Sequence, residues 1–168
     1  MSGSLLLWMT LALLLFWGVG LYNRLMRMRA RGLSAFGSIE RHLREYADLV
    51  RERPQSFQKG SVSGELDALE HALKDARANP LAIEPLIGLA EVLAQLRPVS
   101  GGLPTEEGDL AGSLFHAETR DHWDRVTHRV ETSRIGYNQI MVKYNEALKQ
   151  FPARLIVGVM GFKPGGLL

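Results

Sequence analysis

Three observations point to an all-α protein, an antiparallel bundle of long helices on a single N-terminal transmembrane helix. Leu5 to Tyr22 is an uncharged, almost wholly apolar run. None of the seven prolines falls in 1–53 or 105–151, and proline-free stretches of that length suit long helices. Within both stretches apolar residues recur at helical steps, and nowhere does sustained apolar alternation suggest a strand.

The apolar run comes first. As a helix, Leu5 to Tyr22 is ~27 Å long, close to the ~30 Å hydrocarbon core of a bilayer. Trp8, Trp17 and Tyr22 lie toward its ends, where amphipathic rings favour the headgroup region. A cleaved signal peptide wants a basic start and a small-x-small exit. Met1-Ser-Gly-Ser has no base, and the positive residues follow the run. Residues 1–23 therefore read as an anchor. Arg24, Arg27, Arg29 and Arg31 come next, before any acid appears at Glu40. Basic residues flanking a span are retained on the cytoplasmic side. This puts the N-terminus outside and the rest of the chain inside. The same arginines either act only as this topology signal or also touch anionic headgroups, worth about 1 kcal/mol each.

Residues 24–168 read as the bundle, with loops near 54–64 and 98–113. Leu25, Met28, Gly32, Phe36, Ile39, Leu43, Tyr46 and Val50 form one seam at near-heptad, coiled-coil spacing. Nothing between Leu21 and Arg31 breaks the backbone, so anchor and first bundle helix are expected to be one rod. Ser63 to Asn79 and Pro85 to Leu96 read as shorter helices carrying Leu66, Leu69 and Leu73, then Leu86, Leu89, Val92 and Leu93. Ser63 is the candidate cap of the first, and Asn79-Pro80 its stop. Pro80 and Pro85 either split this region or only kink it. A second long seam runs through Val126, Val130, Ser133, Tyr137, Ile140, Tyr144, Ala147 and Phe151 and ends at Pro152. The tail from Pro152 crowds Leu155, Ile156, Val157, Val159, Met160 and Phe162 around two glycines. It either caps the bundle or lies in the membrane surface, with capping the favoured reading.

Composition excludes several function classes. Twenty Lys and Arg against 18 Asp and Glu leave a net charge of only +2, too little for a nucleic-acid binder. With no cysteine there is no disulfide, no thiolate zinc site and no cysteine nucleophile. His116, His122 and His128 are spaced by six, ~120° apart on a helix, where a shared metal wants i, i+3 or i, i+4. Glu118 with His122 and Asp124 with His128 have i, i+4 spacing, but surface ion pairs explain that better than ligands. There is no G-x-S-x-G setting, and Gly101-Gly102 leads into Leu103-Pro104 rather than a phosphate loop. Tyr137 and Tyr144 read as core rings with a hydroxyl at the rim. No catalytic, cofactor or metal site is expected, and the chain does not read as an enzyme.

Tyr22-Asn23-Arg24-Leu25 after the span, Arg134-Ile135-Gly136-Tyr137-Asn138, Val142-x-Tyr144-Asn145, Phe151-Pro152 and Gly161-Phe162 together carry a family signature. In these residues the chain resembles the LemA family of bacterial membrane proteins. The resemblance implies a cytoplasmic antiparallel helical bundle on a single-pass, N-out anchor in the bacterial inner membrane, with no agreed enzymatic activity. Phe36 stands where members often have Trp, and 54–112 is richer in Pro and Gly than the family's continuous helices. The expected function is that of a membrane-tethered helical scaffold or adaptor of the envelope. The alternative is a self-assembling membrane protein, with an enzyme third. Expected partners are the bilayer and either envelope proteins or further copies of the chain. Ile135, Asn138, Val142 and Asn145 point away from the seam, and this second stripe is either an ordinary solvated face, a face covered by another helix of the same chain, or a contact surface for a partner.

Overall fold

The computed structural model describes residues 2–51, 61–96, 110–151 and 153–168. They form five helices and, among the described residues, no strand: α1 (Ser2–Arg51), α2 (Ser61–Ala78), α3 (Ile83–Leu96), α4 (Leu110–Lys149) and the single turn α5 (Ala153–Ile156).

The 50 residues of α1 form one unbroken helix, about 75 Å long at ~1.5 Å per residue. It is long and apolar enough near its N-terminus to cross a membrane. Its character changes along its length. Leu5, Leu7, Trp8, Leu13 and Phe16 are exposed, whereas from Leu25 onward the apolar residues turn inward. Leu25, Phe36, Ile39, Leu43, Tyr46 and Val50 are all buried, the seam that their spacing predicts.

α4 packs along that seam. Tyr46 meets Trp123 with ring centroids 5.0 Å apart, and Phe36 meets Tyr137 edge-on at 6.4 Å. A Cβ on Gly32 would sit 2.7 Å from the Met141 sulfur, so the helices approach closely there. Partner numbers on α4 climb as those on α1 fall. Ion pairs tie the outer faces: Glu45 with Arg129 on α4, and Glu40 with Arg77 and Arg51 with Glu70 on α2. α2 and α3 pack on each other through a turn in which the Ala82 N–H donates to the Asn79 carbonyl. Pro80 therefore splits the region, while Pro85 sits in the first turn of α3, where its missing N–H costs nothing.

Some expectations need correction. α2 starts at Ser61 and α4 at Leu110, so the ends of the loops expected near 54–64 and 98–113 are helical. The weak helix propensity of Gly64 and Gly112, about 1 kcal/mol each, is outweighed by the length of the helices they join. The rest of both segments lies outside the described residues. Ile140 is only half-buried, and the neighbouring Met141 is completely buried instead. A straight helix drifts ~20° per heptad from a strict seven-residue repeat, and over α4 this moves the core line to Tyr137, Met141, Tyr144 and Leu148. Phe151 is 80% exposed, because α4 ends at Lys149 and the chain has left the seam. The tail divides: Ala153 and Phe162 face the bundle, while Phe151, Leu155 and Val159 face outward.

Candidate functional site

Tyr-Asn occurs twice on α4, seven residues apart, and seven residues advance a helix ~10.5 Å. Beside it Lys163 to Leu168 runs without helix or strand. The Gly165 N–H donates to Asn145 Oδ1, and Asn145 Nδ2 donates back to the Gly165 carbonyl, both at 2.8 Å. Asn138 makes the same exchange with Leu168, receiving its N–H at 2.8 Å and donating to its carbonyl at 2.5 Å. The Tyr144 hydroxyl donates to the Lys163 carbonyl at 3.0 Å, and the Tyr137 hydroxyl to the Gly166 carbonyl at 3.2 Å. In both pairs a heptad on the helix matches three residues of tail.

The match is geometric. Three residues in a polyproline II-like step would rise ~9.3 Å, close to the helical heptad, with residues i and i+3 on one face. A flat β-strand would point them to opposite faces. With no helix or strand bonds of its own, the tail gives its Gly165 and Leu168 amides to the asparagines and its Gly166 amide to the Leu81 carbonyl.

Glycine is required where the tail passes between helices. The Gly166 N–H donates to the Leu81 carbonyl at 3.1 Å, fastening the tail to the α2–α3 turn as well. A Cβ at Gly166 would lie 3.0 Å from the Ile83 Cα and 3.1 Å from the Ala82 carbonyl oxygen, both rigid backbone. One at Gly165 would strike only the flexible end of Met141. Gly161, with φ +70°, turns the chain back toward α4 in a conformation that side chains resist. Phe162 follows, buried, with its ring 5.6 Å from that of Tyr22 at the end of the apolar run.

Six hydrogen bonds thus join four side chains to tail backbone, and the Tyr137 hydroxyl also lies 3.5 Å from the Pro80 carbonyl. Burial pushes the Tyr137 hydroxyl above its ordinary range. It does the same to Tyr144, opposed by the charge of Arg29. Both are therefore neutral donors, poorly suited to act as bases or nucleophiles.

The structure brings together Tyr22, Tyr137, Asn138, Tyr144, Asn145, Gly161 and Phe162 as one latch holding the tail. Asn23 and the collar Arg24, Arg27, Arg29 and Arg31 stand exposed on α1. Phe151 is apart from the latch, and Pro152 lies outside the described residues. The contact-surface reading of the second stripe is corrected in its polar half: Asn138 and Asn145 bind the chain's own tail, while Ile135 and Val142 remain exposed. Helix-on-helix reasoning missed that an extended segment covers this face. It missed Gly165, Gly166 and Met141 too; the signal for them was a Gly-Gly pair beyond a Tyr-Asn repeat. Among the described residues no group of three or more His, Asp or Glu is placed to hold a metal. His128 Nδ1 faces the Thr132 hydroxyl at 3.4 Å.

Comparison with protein-family models, curated proteins and solved structures finds no match to this chain.

Proposed function

We propose that the protein is a single-pass membrane scaffold of the LemA type. Its anchor crosses the bacterial inner membrane N-out, and an antiparallel bundle projects into the cytoplasm to hold other envelope proteins. One observation carries the reading. Within the single helix α1, an apolar stretch that is only 6% buried passes directly into a buried bundle seam. In water that stretch would be an apolar surface far larger than soluble monomers show; in a bilayer it is solvated. The exposed collar Arg24, Arg27, Arg29 and Arg31 favours the orientation, since such residues resist translocation.

A rod shared by anchor and bundle fixes the height and direction of the bundle over the membrane. The Tyr-Asn residues act as structural clasps, so the work of the protein falls to its outer surface rather than to an internal reaction centre. Self-assembly is the second reading, favoured by Ile135 and Val142, left 48% and 41% exposed on α4. Cross-linking in native membranes followed by purification of the detergent-solubilised full chain separates the two. Distinct foreign proteins, lost when Ile135 and Val142 are unchanged but the anchor is replaced, fit a scaffold. A ladder of the chain alone, abolished by Ile135→Lys with Val142→Lys, fits self-assembly. The absence of both products would overturn both readings.

A further inference from the structure

The turn that carries the chain from α4 back to the latch presents its apolar residues outward. Among the described residues outside the Leu5–Tyr22 run, the large hydrophobics left exposed are no more than 48% accessible, with three exceptions. Val159 is 90% exposed, Phe151 80% and Leu155 64%, and all three lie in this turn. The turn itself is well built. The Arg154 N–H donates to the Gln150 carbonyl, Val157 N–H to Ala153 and Phe162 N–H to Val157. Ala153 is buried, and Val157 and Met160 pack partly against the core.

Its position is equally specific. Tyr144 lies within electrostatic reach of Arg29, and Phe162 rests on Tyr22. The chain between them, from the end of α4 to Gly161, is therefore held at the end of the bundle where α1 enters its apolar run. Its charge matches that place. Residues 147–168 contain no acid, and Lys149, Arg154 and Lys163 are all exposed. The nearby stretch of α1 from Arg24 to Ile39 is also acid-free and carries four arginines.

We propose that Phe151, Leu155 and Val159 form a second membrane contact, inserted in the cytoplasmic leaflet of the bilayer that α1 crosses. Arg154 and Lys163 meet anionic headgroups beside the collar. Apolar side chains entering the acyl boundary with bases at headgroup level are the two components that give interfacial segments their affinity. The inference rests on the reading of α1 as an anchor. Together the two attachments would fix the tilt and rotation of the rod in the bilayer, α1 by its span and the turn by its contact with one leaflet.

The test uses the full chain, which has no native cysteine, in vesicles of phosphatidylcholine and phosphatidylglycerol. Three single-cysteine variants, Val159→Cys, Gly18→Cys and His71→Cys, carry an environment-sensitive fluorophore. The sites suit it: a Cβ at Gly18 meets nothing within 4 Å, and His71 is 79% exposed on α2. The expected result is blue-shifted emission, mostly lost to lipid-borne nitroxide, at Val159 and Gly18 but not at His71. Quenching at Gly18 with Val159 water-like would overturn the second contact and leave the anchor standing. Water-like emission at Gly18 as well would overturn both.

Discussion

Asn145 and Gly165 hold each other through two hydrogen bonds of 2.8 Å, one in each direction. A carboxamide has both a donor and an acceptor on one rigid plane, as a peptide unit does. Asn145 therefore stands in for a neighbouring strand, and Asn138 repeats the arrangement at Leu168. The tail is paired on backbone terms by side chains of a helix.

Removing such a clasp leaves an amide and a carbonyl without partners in a partly buried place, and each unmet group costs about 1–3 kcal/mol. Asn145→Ala should destabilise the chain by about 2 kcal/mol. Asn145→Asp should not restore it, because a carboxylate accepts from the Gly165 N–H but repels its carbonyl. Thermal melts of the full chain in detergent, with amide exchange at Gly165, check this. Wild-type protection at Gly165 in the alanine variant would contradict the pairing.

The two tail glycines should differ. Gly166→Ala forces a Cβ against the Ile83 and Ala82 backbone, whereas Gly165→Ala displaces only the tip of Met141. Overpacking typically costs about 1–3 kcal/mol, and Gly166→Ala belongs at or above the upper end, Gly165→Ala below it. Equal melting temperatures would mean the tail does not pass between these elements.

Register on α4 gives a sharper contrast between neighbours. Met141 is fully buried and Ile140 half-buried, while Lys143 is exposed. Met141→Ala should cost about 2–5 kcal/mol. Ile140→Ala should cost clearly less, and Lys143→Ala should stay within about 0.5 kcal/mol. A larger effect at Ile140 than at Met141 would restore the strict heptad.

Alkaline stability follows from Tyr137. Burial raises its folded-state pKa above the ordinary 10.0, whereas the unfolded chain ionises near that value. Below it both states are protonated and stability is independent of this group. Above it the unfolded state binds fewer protons, so stability falls as pH rises. Tyr137→Phe should cost about 1 kcal/mol at neutral pH through the Gly166 carbonyl. It should also flatten the loss above the ordinary tyrosine range. Denaturant melts of the wild type and the variant across that range measure both effects.

How far the fold could be read from residue order depends on what the residues contact. α1 was legible because each of its halves has one plain pattern: an uncharged apolar run long enough to cross a membrane, then a seam against helices. Pro80 and Pro85 left two options, since a proline at a turn and one in a first turn look alike in sequence. The α4 register was off by one position at Ile140 because the heptad is an approximation to 3.6 residues per turn. The latch was the least legible part. Asn138 and Asn145 lie off the helical core direction, and the extended chain from Lys163 to Leu168 explains why they are half-buried. That pairing links residues 20 and 30 positions apart with different periods, seven on one side and three on the other.

Labelling in intact cells shows whether α1 crosses the membrane with the bundle inside. Cysteine replaces Ser4 in one variant and His71 in another, and a membrane-impermeant maleimide is added before and after permeabilisation. With α1 spanning N-out, Ser4→Cys reacts at once and His71→Cys only after the membrane is opened. Immediate reaction at His71 with protection of Ser4 would contradict the orientation, and reaction at both would contradict the span.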